Sequence, residues 1–225
     1  NAVEVIDEGK KRITGDGVRG VRGAGDRSAA RCKNPGGFDE VLDVDCSHLQ
    51  DDFGNELRLF VKQLARDNGL SFYDIRKQEG LLRTLMIRIA STGETMAVVV
   101  FGRDERENIY RLLDAVRERF PRITSLLYVI NTKVNDTITD QDVLLHSGRE
   151  YIEEAMGDLR FRIGPKSFYQ TNSRQAEKLY GVTRDFAGLT GGELVYDLYT
   201  GTGTLANFIA SHCRHVIGIE YVPEA

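Results

Sequence analysis

The sequence predicts an α/β protein in two parts: an α+β domain over 38–164 and the start of a doubly wound parallel sheet over 165–225. Three observations predict it. Short β-type runs alternate with amphipathic helical stretches through the first part. Gly164-Pro165 then interrupts the pattern. After it, one apolar run leads into a glycine loop, a helix and a second apolar run, the order of a β–α–β unit.

Taken in order, residues 1–37 hold eight glycines and eight Lys or Arg residues, a broken Arg-Gly texture that reads as a mobile loop segment. Phe38 to Val44 alternates apolar and acidic side chains, as a half-buried strand does. From Asp51 to Asn68 the residues Leu57, Phe60, Val61 and Leu64 recur at helical spacing, with Asn68-Gly69 as the stop. Leu81–Ala90 and Thr95–Phe101, joined by Ser91-Thr92-Gly93-Glu94, make a hairpin. Arg83 and Arg88 lie an odd number of positions apart, so a regular strand sends them to opposite faces and they form no single basic patch.

Ile109, Leu112, Leu113 and Val116 restore the helical period over Glu105–Glu118, and Ile123–Asn131 follows as a strand. The strands of this part are expected to pair mostly antiparallel. Leu159–Ile163 alternates as a further strand. In the second part, Ala176, Leu179, Tyr180 and Phe186 mark an amphipathic helix over Ser173–Leu189. Strands Leu194–Tyr199 and Val216–Ile219 flank a helix from Leu205 to Ser211. A doubly wound sheet needs further strand–helix units to bury its central strands, so the native polypeptide is expected to continue beyond Ala225.

Composition narrows the function. A net charge of −4 and a pI near 5.7 exclude a protein that coats nucleic acid by bulk electrostatics, so any RNA contact needs a local basic face. No apolar run reaches the roughly 18 residues that cross a bilayer, and no signal-peptide pattern opens the chain. The expectation is a soluble, cytoplasmic protein without a membrane partner. Cys32, Cys46 and Cys213, odd in number and irregular in spacing, fit free thiols better than a disulfide framework.

The chemistry concentrates in the second part. Gly201 and Gly203 let the backbone approach a ligand closely, and the helix after them offers free N–H groups. Glu220, at the tip of the next strand, stands where a carboxylate accepts hydrogen bonds from the ribose hydroxyls of an adenosine. The run Gly201 to Ala206 also fits the dinucleotide pattern. Two residues favour S-adenosylmethionine over a dinucleotide. Asp197 would sit badly near a pyrophosphate, and Tyr199 adds bulk where the dinucleotide turn begins. Asp197 itself reads equally as a loop-orienting acceptor or as a direct ligand contact.

Ser167-Phe168-Tyr169-Gln170-Thr171-Asn172, then Asp197 to Thr204, then Gly218-Ile219-Glu220, closely resemble the RNA (uracil-5-)-methyltransferase family, whose pattern before the methyltransferase domain is Phe-aromatic-Gln-x-Asn. Gly148 to Glu154 and Leu81 to Met86 look like that family's central domain. The resemblance covers about 38–225, and residues 1–37 match it poorly. It implies a Rossmann-like class I methyltransferase domain preceded by an α+β central domain, S-adenosyl-L-methionine as cofactor, and 23S rRNA or tRNA as substrate, methylated to 5-methyluridine by a monomer. It further implies that Gln170 contacts the cofactor, that Tyr199 and Thr204 line its pocket with Gly201 and Gly203, and that Glu220 holds its ribose.

In that family a cysteine thiolate adds to carbon 6 of uracil, carbon 5 of the resulting enolate takes the sulfonium methyl, a carboxylate removes the carbon-5 proton, and the thiolate leaves. The target base must first be unstacked. The family's nucleophile and base lie past its second Rossmann strand, so no catalytic residue is assigned here. Cys213 falls behind the cofactor loop and is no substitute. Cys46 falls where many members place the last of four cysteines of a 4Fe-4S cluster; here it is an orphan ligand or a buried small hydrophobe. His212, Cys213 and His215 lack a fourth ligand and a familiar metal spacing. Two other readings remain, an NAD-dependent oxidoreductase fragment and a non-catalytic RNA-binding module with a degenerate methyltransferase fold.

Overall fold

The computed structural model describes residues 46–48 and 50–222, together with the backbone of four short strands before them. These are β1 (Ala2–Glu4), β2 (Ile6–Asp7), β3 (Arg31–Lys33) and β4 (Val41–Leu42). Most of the Gly/Arg-rich segment, and of the strand expected over 38–44, lies outside the described residues. Where 1–37 is described it is strand rather than loop: β1 pairs with a later strand, and β2 with β3.

Helix α1 (Asp52–Asp67) starts at Asp51, whose carboxylate accepts from Gly54 N at 2.7 Å, and stops at Asn68 before Gly69, which has φ +64°. Strands β5 (Leu82–Ile89) and β6 (Thr95–Phe101) form the expected antiparallel hairpin. Helix α2 (Arg106–Arg119) carries the chain across to β7 (Ser125–Ile130), which lies parallel to β6. That pairing departs from the antiparallel expectation, as does the parallel pair β2–β3. Strand β8 (Val143–Gly148) completes a five-stranded sheet in the order β1-β5-β6-β7-β8.

Every residue of β6 is buried, because both faces of the sheet are covered. On one face Leu57, Val61 and Ala65 of α1 and Ile109, Leu112, Leu113 and Val116 of α2 pack with Leu85, Ala97, Val99, Phe101 and Leu126. The other face, carrying Met96, Val98, Val100, Leu127 and Val129, is covered by a second antiparallel hairpin, β9 (Ile152–Met156) and β10 (Leu159–Ile163). Ala176 of α3 (Ser173–Ala187) joins that layer, so the chain beyond Gly164 is seated on the sheet through this helix. The five-residue strands β11 (Leu194–Leu198) and β12 (His215–Ile219) run parallel, joined through α4 (Thr204–Ile209) and a 3-10 turn at Ala210–His212.

Gly148 closes the sheet at a point that tolerates no side chain. Its φ is +82°, and a Cβ there would stand 2.1 Å from the Thr124 carbonyl oxygen. Gly148→Ala is expected to lower unfolding free energy by about 2–3 kcal/mol, from left-handed strain plus a backbone clash. Urea titration checks this; a loss under about 1 kcal/mol, no more than a helix or strand propensity change, would contradict it.

Candidate functional site

The site is built at the carboxyl end of β11 and β12, where the register sets Asp197 beside Gly218 and Leu198 beside Ile219. Between β11 and α4 the chain doubles back through three left-handed positions, Tyr199 (φ +65°), Gly201 (φ +55°) and Gly203 (φ +74°). Glycine accepts that conformation freely; Tyr199 holds it at a strain cost of order 1–3 kcal/mol. Something must compensate, and the hydrogen bonds of the loop do so. Asp197 Oδ2 accepts from Thr200 Oγ1 at 2.8 Å and from Ala206 N at 3.1 Å, tying the first turn of α4 back to the strand. Thr200 N donates to Ile219 O at 3.0 Å, and Gly203 N to Thr200 O at 2.8 Å. A Cβ on Gly218 would meet Thr200 Cγ2 at 3.0 Å, so glycine there is what lets the loop lie against β12.

Glu220 closes the circuit. Its Oε2 accepts from Gly201 N at 2.8 Å, and its Oε1 from Tyr221 N at 2.9 Å and Val222 N at 2.8 Å. These donors, Val222 N–H first and then Gly201 N–H, hold the carboxyl below the usual carboxylate range. Each carboxylate oxygen has two acceptor directions, so Oε2 keeps one for a ligand hydroxyl. A Cβ built on Gly201 would meet nothing within 4 Å, and Tyr199 is 90% exposed, which leaves open space beside the carboxylate.

The sign of the pH effect follows from the depressed folded value. Glu220's contribution to holding the loop is complete above its unfolded value, about 4.3, and is lost as pH falls through the lower folded one. A carbon-13 carboxyl titration should show Glu220 ionised at pH values where exposed glutamates are already half protonated; a midpoint at or above about 4.3 would remove this account.

Five of the sequence-predicted residues, Asp197, Gly201, Gly203, Thr204 and Glu220, thus meet in one loop with Tyr199 at its tip. Gln170 comes to it less directly. It is exposed, two positions before Asn172, whose side chain caps α3 by accepting from Gln175 N at 3.1 Å. Helix α3 reaches the loop through Tyr180, whose hydroxyl is 3.2 Å from Thr204 Oγ1. Tyr180 and Gly218 have structural roles that the sequence reading did not assign. For Gly218 the small residue two positions before Glu220 was the available signal.

The cysteines stand apart from this edge. Cys213 precedes β12, so the whole strand separates it from Glu220; its Sγ lies 3.6 Å from Ile209 O. Cys46 is exposed, which corrects its reading as a buried small hydrophobe. As one thiolate it does not by itself fit a 4Fe-4S cluster. Among the described residues no group of three or more His, Cys, Asp or Glu side chains is placed to hold a metal ion. No helix among them is long and apolar enough to cross a membrane.

No protein-family profile matches the chain. It is 64% identical over 193 residues to an uncharacterized RNA methyltransferase of Porphyromonas gingivalis, covering 85% of this chain and 42% of that protein. It is 50% identical over 228 residues to one of Bacteroides thetaiotaomicron, covering 100% of this chain and 50% of that protein. The chain therefore spans about half the length of the curated relatives it matches. Among solved structures it is similar to a Pyrococcus abyssi tRNA (uracil-54, C5)-methyltransferase in complex with S-adenosyl-L-homocysteine, at 26% identity and a TM-score of 0.64, over 80% of this chain and 43% of that one. The expected fold class, α/β with a Rossmann-like class I methyltransferase unit, agrees with that neighbour.

Proposed function

We propose that this chain carries the donor-binding half of an S-adenosylmethionine-dependent RNA methyltransferase that acts on carbon 5 of uracil. The observation that carries the reading is the loop circuit. A glycine turn at the end of β11 is fixed to a carboxylate at the end of β12, with open space beside it. Glu220 and the loop backbone suit the adenosine part of the cofactor, which would supply the methyl group. Gln170, Tyr199, Gly201, Gly203 and Thr204 would line the remainder, and the second carboxylate oxygen of Asp197 is left for it. The relatives' names, and the neighbour's complex with S-adenosyl-L-homocysteine, support the methyltransferase reading. The uracil specificity rests on that neighbour and on the Phe168-Tyr169-Gln170-Thr171-Asn172 segment.

The dinucleotide alternative meets a specific obstacle. The α4 N–H of Ala206, at the end where a pyrophosphate would dock, is engaged by the Asp197 carboxylate, and that charge repels a second anion. The proposal divides the chain into an α+β central domain at 38–164 and the beginning of a methyltransferase domain at 165–225. It puts the nucleophile and base outside these residues, and its partner is rRNA or tRNA in the cytoplasm.

Calorimetry of the complete protein with S-adenosylhomocysteine and with NAD tests the cofactor. Binding of the first and not the second is expected, and the reverse would overturn the reading. Mapping of 5-methyluridine in RNA from a deletion strain tests the base: one site should lose its methyl group. RNA that retains every 5-methyluridine while losing another methylation would reassign the substrate position, and RNA with no lost methylation would favour the non-catalytic binding module. The 225 residues alone should methylate no uridine-containing RNA.

A further inference from the structure

Arg88 sits one residue before the end of β5, in the central sheet, yet its guanidinium is spent on a distant turn. Nη1 donates to Gly164 O at 2.9 Å and to Ser167 O at 2.9 Å, the first and last residues of the turn Gly164-Pro165-Lys166-Ser167. The same turn is closed from within, by Gly164 N donating to Ser167 Oγ at 3.1 Å and Ser167 N to Gly164 O at 3.3 Å. Ser167 is buried. Burial pushes the Arg88 guanidinium below its ordinary value, and its Nε is buried with no hydrogen-bond partner among the described residues. Burying a cation is a costly way to hold an ordinary surface turn. What it supplies, and an apolar side chain would not, is two directed charge-assisted bonds to carbonyls.

The position of that turn gives the bonds their consequence. Gln170 lies three residues after Ser167 and two before the α3 cap at Asn172. Between the turn and Gln170, Tyr169 packs its ring against Phe161 of β10 at 6.1 Å. Beyond the cap, α3 is held on the sheet by Ala176 and at the glycine loop by Tyr180. A segment of so few residues, fastened at both ends, has little freedom, so displacing the Arg88 end moves Gln170 directly.

We infer that Arg88 is a positioning residue for the donor site: by gripping Gly164 and Ser167 it sets where Gln170 stands relative to the glycine loop. The inference rests on the reading of Gln170 as a cofactor contact. Arg88 touches no ligand itself. It acts through the turn, and its effect must therefore pass through Gln170.

The test is a double-mutant cycle on the complete protein, read by calorimetry with S-adenosylhomocysteine and by amide hydrogen exchange over 166–170. Arg88→Met and Gln170→Ala are each expected to weaken binding about tenfold, and the double variant is expected to be no more than about twofold weaker than Gln170→Ala. Arg88→Lys, which keeps a cation and a donor, should recover part of the loss and covers the case in which Arg88→Met does not fold. Exchange should rise over 166–170 in both Arg88 variants, while protection of β6 stays as in the parent. An additive cycle, about a hundredfold in the double variant, or parental affinity in the Arg88 variants, would overturn the inference. Should the parent protein bind NAD and not S-adenosylhomocysteine, the functional reading fails separately. Arg88 is then judged by exchange alone, and unchanged protection over 166–170 overturns its positioning role.

Discussion

Glu220→Ala in the complete protein is expected to weaken S-adenosylhomocysteine binding about a hundredfold, because the one ribose hydrogen bond that Oε2 can still accept is worth about 1.5–3 kcal/mol at a charged group and a loosened loop adds to its loss. The substitution also releases Gly201 N, Tyr221 N and Val222 N, so part of the loss comes from a loosened loop. Glu220→Gln separates the two contributions. It keeps one acceptor oxygen and the side-chain shape but loses the charge, and it should fall between alanine and the parent. Parental affinity in Glu220→Ala would remove the ribose assignment. Weak binding of both S-adenosylhomocysteine and free adenosine, with a normal unfolding midpoint, would support it.

Phe101→Ala is expected to cost about 3–5 kcal/mol of unfolding free energy, the range for truncating a fully buried aromatic side chain. Phe101 ends β6, is wholly inaccessible, and meets the Tyr128 ring edge-on at a 6.4 Å centroid distance. It lies on the face covered by α1 and α2, where Leu57, Leu112 and Leu113 are equally inaccessible, so little can move in to fill the cavity. Because domains are stable by only about 5–15 kcal/mol, this single change threatens folding at 37 °C. Denaturant unfolding with an unchanged m-value checks it, and a loss below about 1.5 kcal/mol would show that the core collapses around the gap.

Much of this fold is written locally. The apolar stripes of α1 and α2, the Asn68-Gly69 stop and the Ser91 to Glu94 turn are each set by residues within a few positions of one another, and the structure bears them out; α3 forms as expected, but of its stripe Ala176 is buried while Leu179 and Phe186 are exposed. Strand β8 was not legible for a physical reason. Leu126 faces Ser147 while Leu127 faces Leu145, so His146 is an extra residue in the strand and the period-two signal is broken there. With Leu144 and Leu145 exposed on an edge strand, its sequence carries no buried face to read. The parallel pairing of β6 and β7 was equally hidden, because strand direction depends on where α2 packs and not on the composition of either strand.

The sequence by itself determined the parts of the candidate site: a glycine turn after one apolar strand, an acid after the next, and a Gln170 segment ahead of an amphipathic helix. Turn propensity, strand ends and helix stops are local properties, so they survive in a linear reading. Only the tertiary structure decided how the parts engage. It committed one oxygen of Asp197 to orienting the loop, and it attached Glu220 to Gly201. It also bound Tyr180 to Thr204 and placed Arg88 on a turn 76 to 79 residues further along the chain. Those contacts exist because the hairpin β9–β10 and α3 cover the second face of the sheet, and burial of that apolar face, which no local pattern encodes, brings the two halves of the chain together.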